Sequence, residues 1–221
     1  ALSNYAKTPQ QHSGEDEGRE RFRSPIGFPV FLLHVLKVKK GNEEENEEQL
    51  DDKQLISSFD KATKATEKAE QWVQEFAFTL LKCRNLFDSF ILKRQFVTST
   101  EDEDGDWSLQ RLIKRVSKGR STPGYVHVFS KTVEDNEQEG KADDDTRDVL
   151  LLQSMLRITD TSPRTMHWIT MVLRWLTDIQ DPRKISSSDL AERLRKYARE
   201  KVRVAFFDPT QPEPESFSIR R

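Results

Sequence analysis

Apolar residues recur at steps of three and four along residues 64–96, a stretch that contains neither glycine nor proline. Because an α-helix completes a turn every 3.6 residues, such a spacing collects these side chains on one face. The face consists of Val73, Phe76, Leu80, Cys83, Phe87 and Phe90, and it is widened by Trp72, Leu81, Leu86 and Ile91. The pattern predicts one long central helix that other elements cover on both flanks.

Further apolar segments with helical spacing lie on either side of this stretch. Pro29 stands where a first helical turn tolerates proline, and Asp51 or Asp52 is suited to cap the next helix. Ser162-Pro163 and the cluster 186–189 are later start signals. We expect helices around 28–36, 55–59, 149–158, 163–176 and 190–202, the fourth antiparallel to the third and the last with Val202 facing inward.

Residues 125–129 are rich in β-favouring side chains and follow Pro123-Gly124, so they are the best candidate strand. The segment 107–116 fits a short helix or a strand, and its apolar spacing favours the helix. The expected fold class is mainly α: an irregular helical bundle around a long central helix, with at most a minor β element near 125–129.

Composition divides the chain into three parts. Residues 1–23 are polar and predict a disordered linker, 24–207 a helical domain, and 208–221 a proline-rich tail that leads to a further domain. Only 34% of residues are hydrophobic and 33% are charged, which is typical of amphipathic helices joined by solvated loops. A single cysteine forms no internal disulfide, and no apolar run is long enough for a bilayer, so we expect a cytoplasmic protein without membrane contact.

No catalytic, cofactor-binding or metal-binding residue is predicted. Cys83 lies on the apolar stripe, where an unpaired cysteine is usually a small core residue. His34, His127 and His167 lack the paired spacing of metal ligands, and His12 lies in the polar opening. The acidic runs lack the alternating ligands of a calcium loop, and the glycines form no phosphate-binding loop.

Charge patterning gives a hint of function, although the net charge of −2 provides no general attraction to a polyanion. Residues 107–131 carry no acid, and the last helix is also rich in basic residues. The candidate nucleic-acid contacts are Arg111, Lys114, Arg115, Lys118, Arg120, Arg195 and Arg199. They predict salt-sensitive phosphate binding, with Trp107 or Tyr125 available for base stacking. The alternative interpretation is solubility and pairing with the neighbouring acidic loops.

Several segments together resemble one known family. They are 25–36 (PIGFPVFLLHVL), 50–55 (LDDKQL), 80–94 (LLKCRNLFDSFILKR), 151–157 (LLQSMLR) and 166–169 (MHWI). In this order they resemble the central region of bacterial GmrSD-type restriction proteins, over most of 24–207. That family joins an N-terminal ParB-like nucleotide-binding and nuclease domain to a C-terminal HNH endonuclease domain. Its polar motif positions here are Arg84, Asp88, Lys93 and Arg94, although a local ion pair between the first two is the simplest explanation of both.

The resemblance implies a role in phage defence or in restriction of modified DNA. The family's Asp-Gly-Gln-Gln-Arg motif and its histidine-rich HNH site are absent from this sequence, so no catalytic residue carries over. We therefore expect a non-catalytic helical middle segment that contacts DNA or couples flanking nuclease domains of a longer parent endonuclease. The alternative is a helical protein-interaction scaffold without nucleic-acid binding. An independent enzyme would need a perturbed cluster of titratable groups, which the spacing does not predict.

Overall fold

The computed structural model describes residues 22–41, 50–96, 105–117, 120–129 and 144–206. Within these ranges the elements are β1 (Phe22–Arg23), α1 (Phe28–Lys40), α2 (Leu55–Lys64), α3 (Ala69–Phe90), β2 (Lys93–Gln95), β3 (Asp106–Ser108), β4 (Gln110–Ser117), β5 (Arg120–His127), α4 (Asp144–Thr159), α5 (His167–Asp178) and α6 (Ser187–Phe206). The prediction of a mainly α fold with a minor β component is confirmed. Of the expected linker and tail, only 22–23 is described, and it forms a strand.

Helix α1 begins where the sequence indicates. Gly27 precedes it in an extended conformation, Pro29 occupies the first turn, and Gly41 ends it with a positive φ of 74°. A positive φ suits glycine, which has no Cβ to clash. The buried side chains are Val30, Phe31, Leu33, His34, Val35 and Leu36. They pack against α5, α3 and α2, so α1 lies inside the bundle.

The expected helix over 64–96 is shorter at both ends. Its start is displaced because Thr66 interrupts the backbone ladder: its hydroxyl accepts a hydrogen bond from the backbone N–H of Lys68 at 3.3 Å. Such side-chain bonds compete with helical hydrogen bonds. The chain therefore turns at 65–68, and separate helices α2 and α3 form on either side.

Helix α3 ends at Phe90 because a side chain distant in sequence binds its last turn. The Gln153 amide donates to the carbonyl of Phe90 at 2.8 Å and accepts from the N–H of Leu92 at 2.9 Å. Residues 93–95 then form a strand instead of further helix. The apolar face is only partly covered: Cys83 is fully buried, whereas Val73 and Leu81, both expected to be covered, are exposed.

Helix α5 is the most completely buried helix. Met166, Ile169, Val172, Leu173 and Leu176 are inaccessible, which confirms their predicted shared face. Ser162 caps a short 3₁₀ turn that precedes α5. Helix α4 makes its main contacts with α6, so the expected pairing of α4 with α5 is wrong.

Ser186 caps α6 by accepting the backbone N–H of Asp189 at 3.1 Å. Leu190 and Leu194 are buried as predicted, but Val202 is exposed, contrary to expectation. No helix within the described ranges is long and apolar enough to cross a bilayer.

The strands form two small antiparallel sheets. One has the order β1-β2-β3, and the other is the hairpin of β4 and β5. The expected helix at 107–116 is therefore wrong, and the expected strand at 125–129 begins earlier, at Arg120, and ends at His127. The apolar spacing of β4 is misleading because Leu112 and Val116 do not face a core; they are 61% and 69% exposed.

Candidate nucleic-acid interface

The hairpin of β4 and β5 carries most of the predicted nucleic-acid contacts. Its antiparallel register runs from Gln110 opposite His127 to Ser117 opposite Arg120. The sequence between 107 and 131 contains basic residues and no acid. A positively charged two-stranded ribbon is therefore attached to the helical body, where β4 contacts α3.

The two faces of the ribbon differ in exposure. Side chains alternate along a strand, so Leu112, Lys114 and Val116 share one face, which we call the outer face. The side chains of all three are exposed to solvent. Across the ladder, this face continues with Ser121, Pro123 and Tyr125.

The opposite face is directed toward the body near its base. Val126 is buried there, and Arg111 and Ile113 are partly buried. The Nε of Arg111 is buried without a hydrogen-bond partner among the described residues. Arg111 is thus less accessible to a polyanion than Lys114, which occupies the outer face.

The remaining basic positions of this segment differ in what the structure shows. Arg120 is exposed at the end of β5 that lies farthest from the base. Arg115 occupies the strand position opposite Thr122. Lys118 lies outside the described residues. Within this segment, Lys114 and Arg120 are therefore the predicted contacts with side chains shown to be exposed.

The two aromatic rings considered for base stacking already have partners. The Arg94 guanidinium lies 5.0 Å from the centre of the Trp107 ring. The Tyr125 ring packs edge-on against Phe22, with 4.7 Å between ring centres. The Tyr125 contact joins the ribbon to strand β1, whereas the Trp107 contact lies between β3 and β2 of the three-stranded sheet.

The predicted contacts on α6 are separate from the ribbon, because α6 packs mainly against α4 and α5. Arg195 forms an ion pair of 2.6 Å with Asp148 of α4. Arg199 is exposed and lies 4.0 Å from Glu192 of its own helix. The ion pair with Asp148 on α4 thus accounts for Arg195 without a nucleic-acid contact.

The four polar positions that carry the suggested resemblance have structural contacts. Arg84 pairs with Asp88 at 2.7 Å, which confirms the expected local ion pair. Lys93 donates to the backbone carbonyl of Asp88 at 2.7 Å, and Arg94 covers Trp107. The pKa of Lys93 is lowered, mainly because the side chain is partly buried. Together these residues connect the end of α3 to strand β2.

A buried polar group between α1 and α5 was not predicted. The Nδ1 of His34 and the hydroxyl of Thr170 lie 2.7 Å apart, and both residues are buried. Desolvation, followed by repulsion from His167 and Lys37, lowers the pKa of His34 to about 3. Desolvation also lowers the pKa of His167 to about 4.

A second unpredicted contact joins the loop after α4 to α6. The Lys201 ammonium binds both oxygens of the buried Asp160 carboxylate, at 2.8 and 3.0 Å. Burial, and then the charge of Asp160, raises the pKa of the nearby Tyr197 phenol. Within the described ranges, no three His, Cys, Asp or Glu side chains form a group suited to a metal ion.

The chain matches no family model, no curated protein and no solved structure.

Proposed function

We propose that this chain is a non-catalytic helical module that binds nucleic acid through the β4–β5 ribbon. The observation that carries the proposal is a solvent-exposed antiparallel hairpin whose segment contains five basic residues at 111–120 and no acidic one. The rest of the described chain is a mainly helical body that includes the small β1-β2-β3 sheet and holds the base of this hairpin.

The distribution of charge favours the ribbon as the binding surface, because the chain as a whole carries no net positive charge. The net charge of −2 gives no global attraction, so binding depends on a local concentration of positive charge. A cation that contacts a phosphate releases condensed counterions, which makes the affinity depend on salt. Lys114 and Arg120 are accessible for such contacts. Arg195 is less suited because Asp148 already neutralises it.

The resemblance to GmrSD-type restriction proteins adds a biological context to this proposal. In that context the module lies between nuclease domains of a longer protein and holds DNA while those domains act. Its partners would be DNA and the flanking domains.

The proposal is tested by charge reversal on the full 221-residue chain. A fluorescent duplex of about 20 base pairs, long enough to span the ribbon, is titrated with wild-type protein and with the Lys114→Glu, Arg120→Glu double variant. We expect at least a roughly tenfold loss of affinity, since two attractions become repulsions. The control is the Lys61→Glu, Lys68→Glu double variant, which makes the same change in net charge at exposed positions of α2 and the α2–α3 turn.

Equal affinities for the two double variants would contradict the proposal, because they would show that only net charge matters. Absence of duplex binding by the wild-type protein at low salt would contradict it directly. Thermal melts of each variant establish that the affinities refer to folded protein.

A second candidate is a protein-interaction scaffold, which one observation favours. Leu151, Met155 and Ile158 are 52%, 63% and 71% exposed, and they lie one turn apart on α4. Three exposed apolar residues in a row are unusual where no partner covers them. Light scattering with wild-type and Met155→Lys protein tests this candidate; a larger particle in the wild type alone would support it.

A further inference from the structure

We infer that the outer face of the ribbon enters the major groove of duplex DNA and contacts thymine methyl groups. The inference rests on the proposed function and adds the groove and the base feature that the ribbon recognises. It starts from two exposed apolar residues, Leu112 and Val116, on either side of the exposed Lys114.

The dimensions of the ribbon suit this groove. Two paired strands lie about 4.8 Å apart, and the major groove, about 12 Å wide, admits a two-stranded ribbon. Leu112 and Val116 are four residues apart on one strand, a distance of about 13 Å. That distance corresponds to roughly four base-pair steps of about 3.4 Å. Both side chains can therefore reach bases within one contact region.

The chemistry of the outer face suits bases as well as phosphates. In the major groove thymine presents a C5-methyl group, which is an apolar contact for a protein side chain. Leu112 and Val116 supply apolar surface, whereas Lys114 supplies a cation for a phosphate or an acceptor on a base. Pro123, opposite Lys114, has no backbone N–H, so this part of β5 is a poor edge for a further strand.

Single strands are a less suitable ligand for this face. Proteins that bind single strands without sequence preference stack bases on aromatic side chains. The ribbon's Tyr125 packs against Phe22, and Trp107 beside it lies under Arg94. The described outer face thus provides apolar and cationic contacts but no uncovered aromatic ring.

The test removes the methyl groups without changing base pairing. Two duplexes of the same A·T-rich sequence are compared, one with thymine and one with uracil at every thymine position. For each thymine methyl group that the ribbon touches, we expect wild-type protein to bind the uracil duplex about fourfold more weakly, the equivalent of about 0.8 kcal/mol. The Leu112→Ser, Val116→Ser double variant should bind both duplexes equally, with the salt dependence of the wild type.

The control is the Leu151→Ser, Ile158→Ser double variant, which removes exposed apolar residues from α4 and should retain the preference for thymine. Equal binding of the two duplexes by wild-type protein would overturn the inference. If charge reversal at Lys114 and Arg120 still weakens that binding, the proposed function stands. An unchanged thymine preference in the Leu112→Ser, Val116→Ser variant would also overturn the inference.

Discussion

The imidazole of His34 in α1 and the hydroxyl of Thr170 in α5 form a buried hydrogen bond of 2.7 Å across 136 positions of the sequence. A buried imidazole favours its neutral form, because removing a charge from water is unfavourable. Desolvation accordingly lowers the pKa of His34 to about 3. Protonation of this ring therefore opposes the packing of α1 on α5, because it places a charge in a buried site.

The free energy of unfolding should decrease as the pH falls below about 6.5. In the unfolded chain both His34 and His167 bind a proton near the ordinary value of 6.5, whereas their pKa values in the folded protein are about 3 and about 4. Between about pH 6.5 and 4 the unfolded state thus holds more protons, and each histidine lowers stability by up to about 1.4 kcal/mol per pH unit. Urea titrations between about pH 7.5 and 4.5, which cover this window, measure the slope.

The assignment to these histidines is checked by substitution. His34→Gln should reduce the slope by about one proton. An identical slope in wild-type and His34→Gln protein would show that other groups cause the pH dependence.

Substitution of Gln153 by methionine should destabilise the fold. Gln153 is fully buried, and its replacement leaves the carbonyl of Phe90 and the N–H of Leu92 without their partner. Each unsatisfied buried group costs about 1–3 kcal/mol. We expect the melting temperature to fall by roughly 5–15 °C. The control, Gln74→Met at an exposed position of α3, should melt within about 2 °C of the wild type.

Two ion pairs of α6 should differ in their contribution to stability. Lys201→Met leaves the Asp160 carboxylate, whose side chain is 9% exposed, without its cation and should cost about 2 kcal/mol. Arg195→Met breaks a solvent-exposed pair with Asp148 and should cost less than about 1 kcal/mol. Chemical denaturation measures both values. Equal decreases in stability would contradict the difference in environment.

The Cys83 thiol should be unreactive until the protein unfolds. It is fully buried on α3, and desolvation raises its pKa to about 12, so little thiolate forms near neutral pH. An aromatic disulfide reagent should label wild-type protein at a rate that increases steeply with urea. The Ser121→Cys variant, with a thiol at an exposed position of β5, should show one additional rapid reaction without urea. Rapid labelling of the wild type would show that α3 opens locally.

The salt dependence of DNA binding should identify the phosphate contacts. If Lys114 and Arg120 each neutralise one phosphate, Lys114→Gln and Arg120→Gln should each reduce the slope of log affinity against log salt by about 0.9. Arg195→Gln should leave the slope unchanged because Arg195 is paired with Asp148. A reduced slope for Arg195→Gln alone would show that the phosphate contacts lie on α6 and not on the ribbon.

Most helices could be predicted from the sequence because the residues that start them and the apolar spacing that defines their buried faces lie within or next to each helix. Proline in the first turn of α1 and Ser186 before α6 mark those starts, and the apolar spacing of α5 correctly gives its buried face. The end of α3 could not be predicted in this way, because the partner that ends it, Gln153, is more than 60 positions away. The spacing of apolar residues within a segment does not show that a side chain far away in the sequence will bind its last turn.

The sequence indicates which basic residues belong to the candidate interface, but it does not indicate the strand conformation that they adopt. Charge alone identifies the basic residues of 107–131, whereas the spacing of Leu112 and Val116 suggests a buried helix face. Those two residues are exposed on a strand, so their apolar character indicates a surface property rather than a core. The sequence 117–120, with Gly119 between two β-favouring segments, is the local signal for a hairpin.

The packing of α1 on α5 also sets an order of events during synthesis. His34 and Thr170 are separated by 136 positions, and ribosomes add roughly 5–20 residues per second. The side of α1 that faces α5 is therefore uncovered for about 7 to 27 s after it is made. A nascent chain stopped before residue 167 exposes this apolar surface. Such a chain is therefore expected to bind chaperones that act on growing polypeptides.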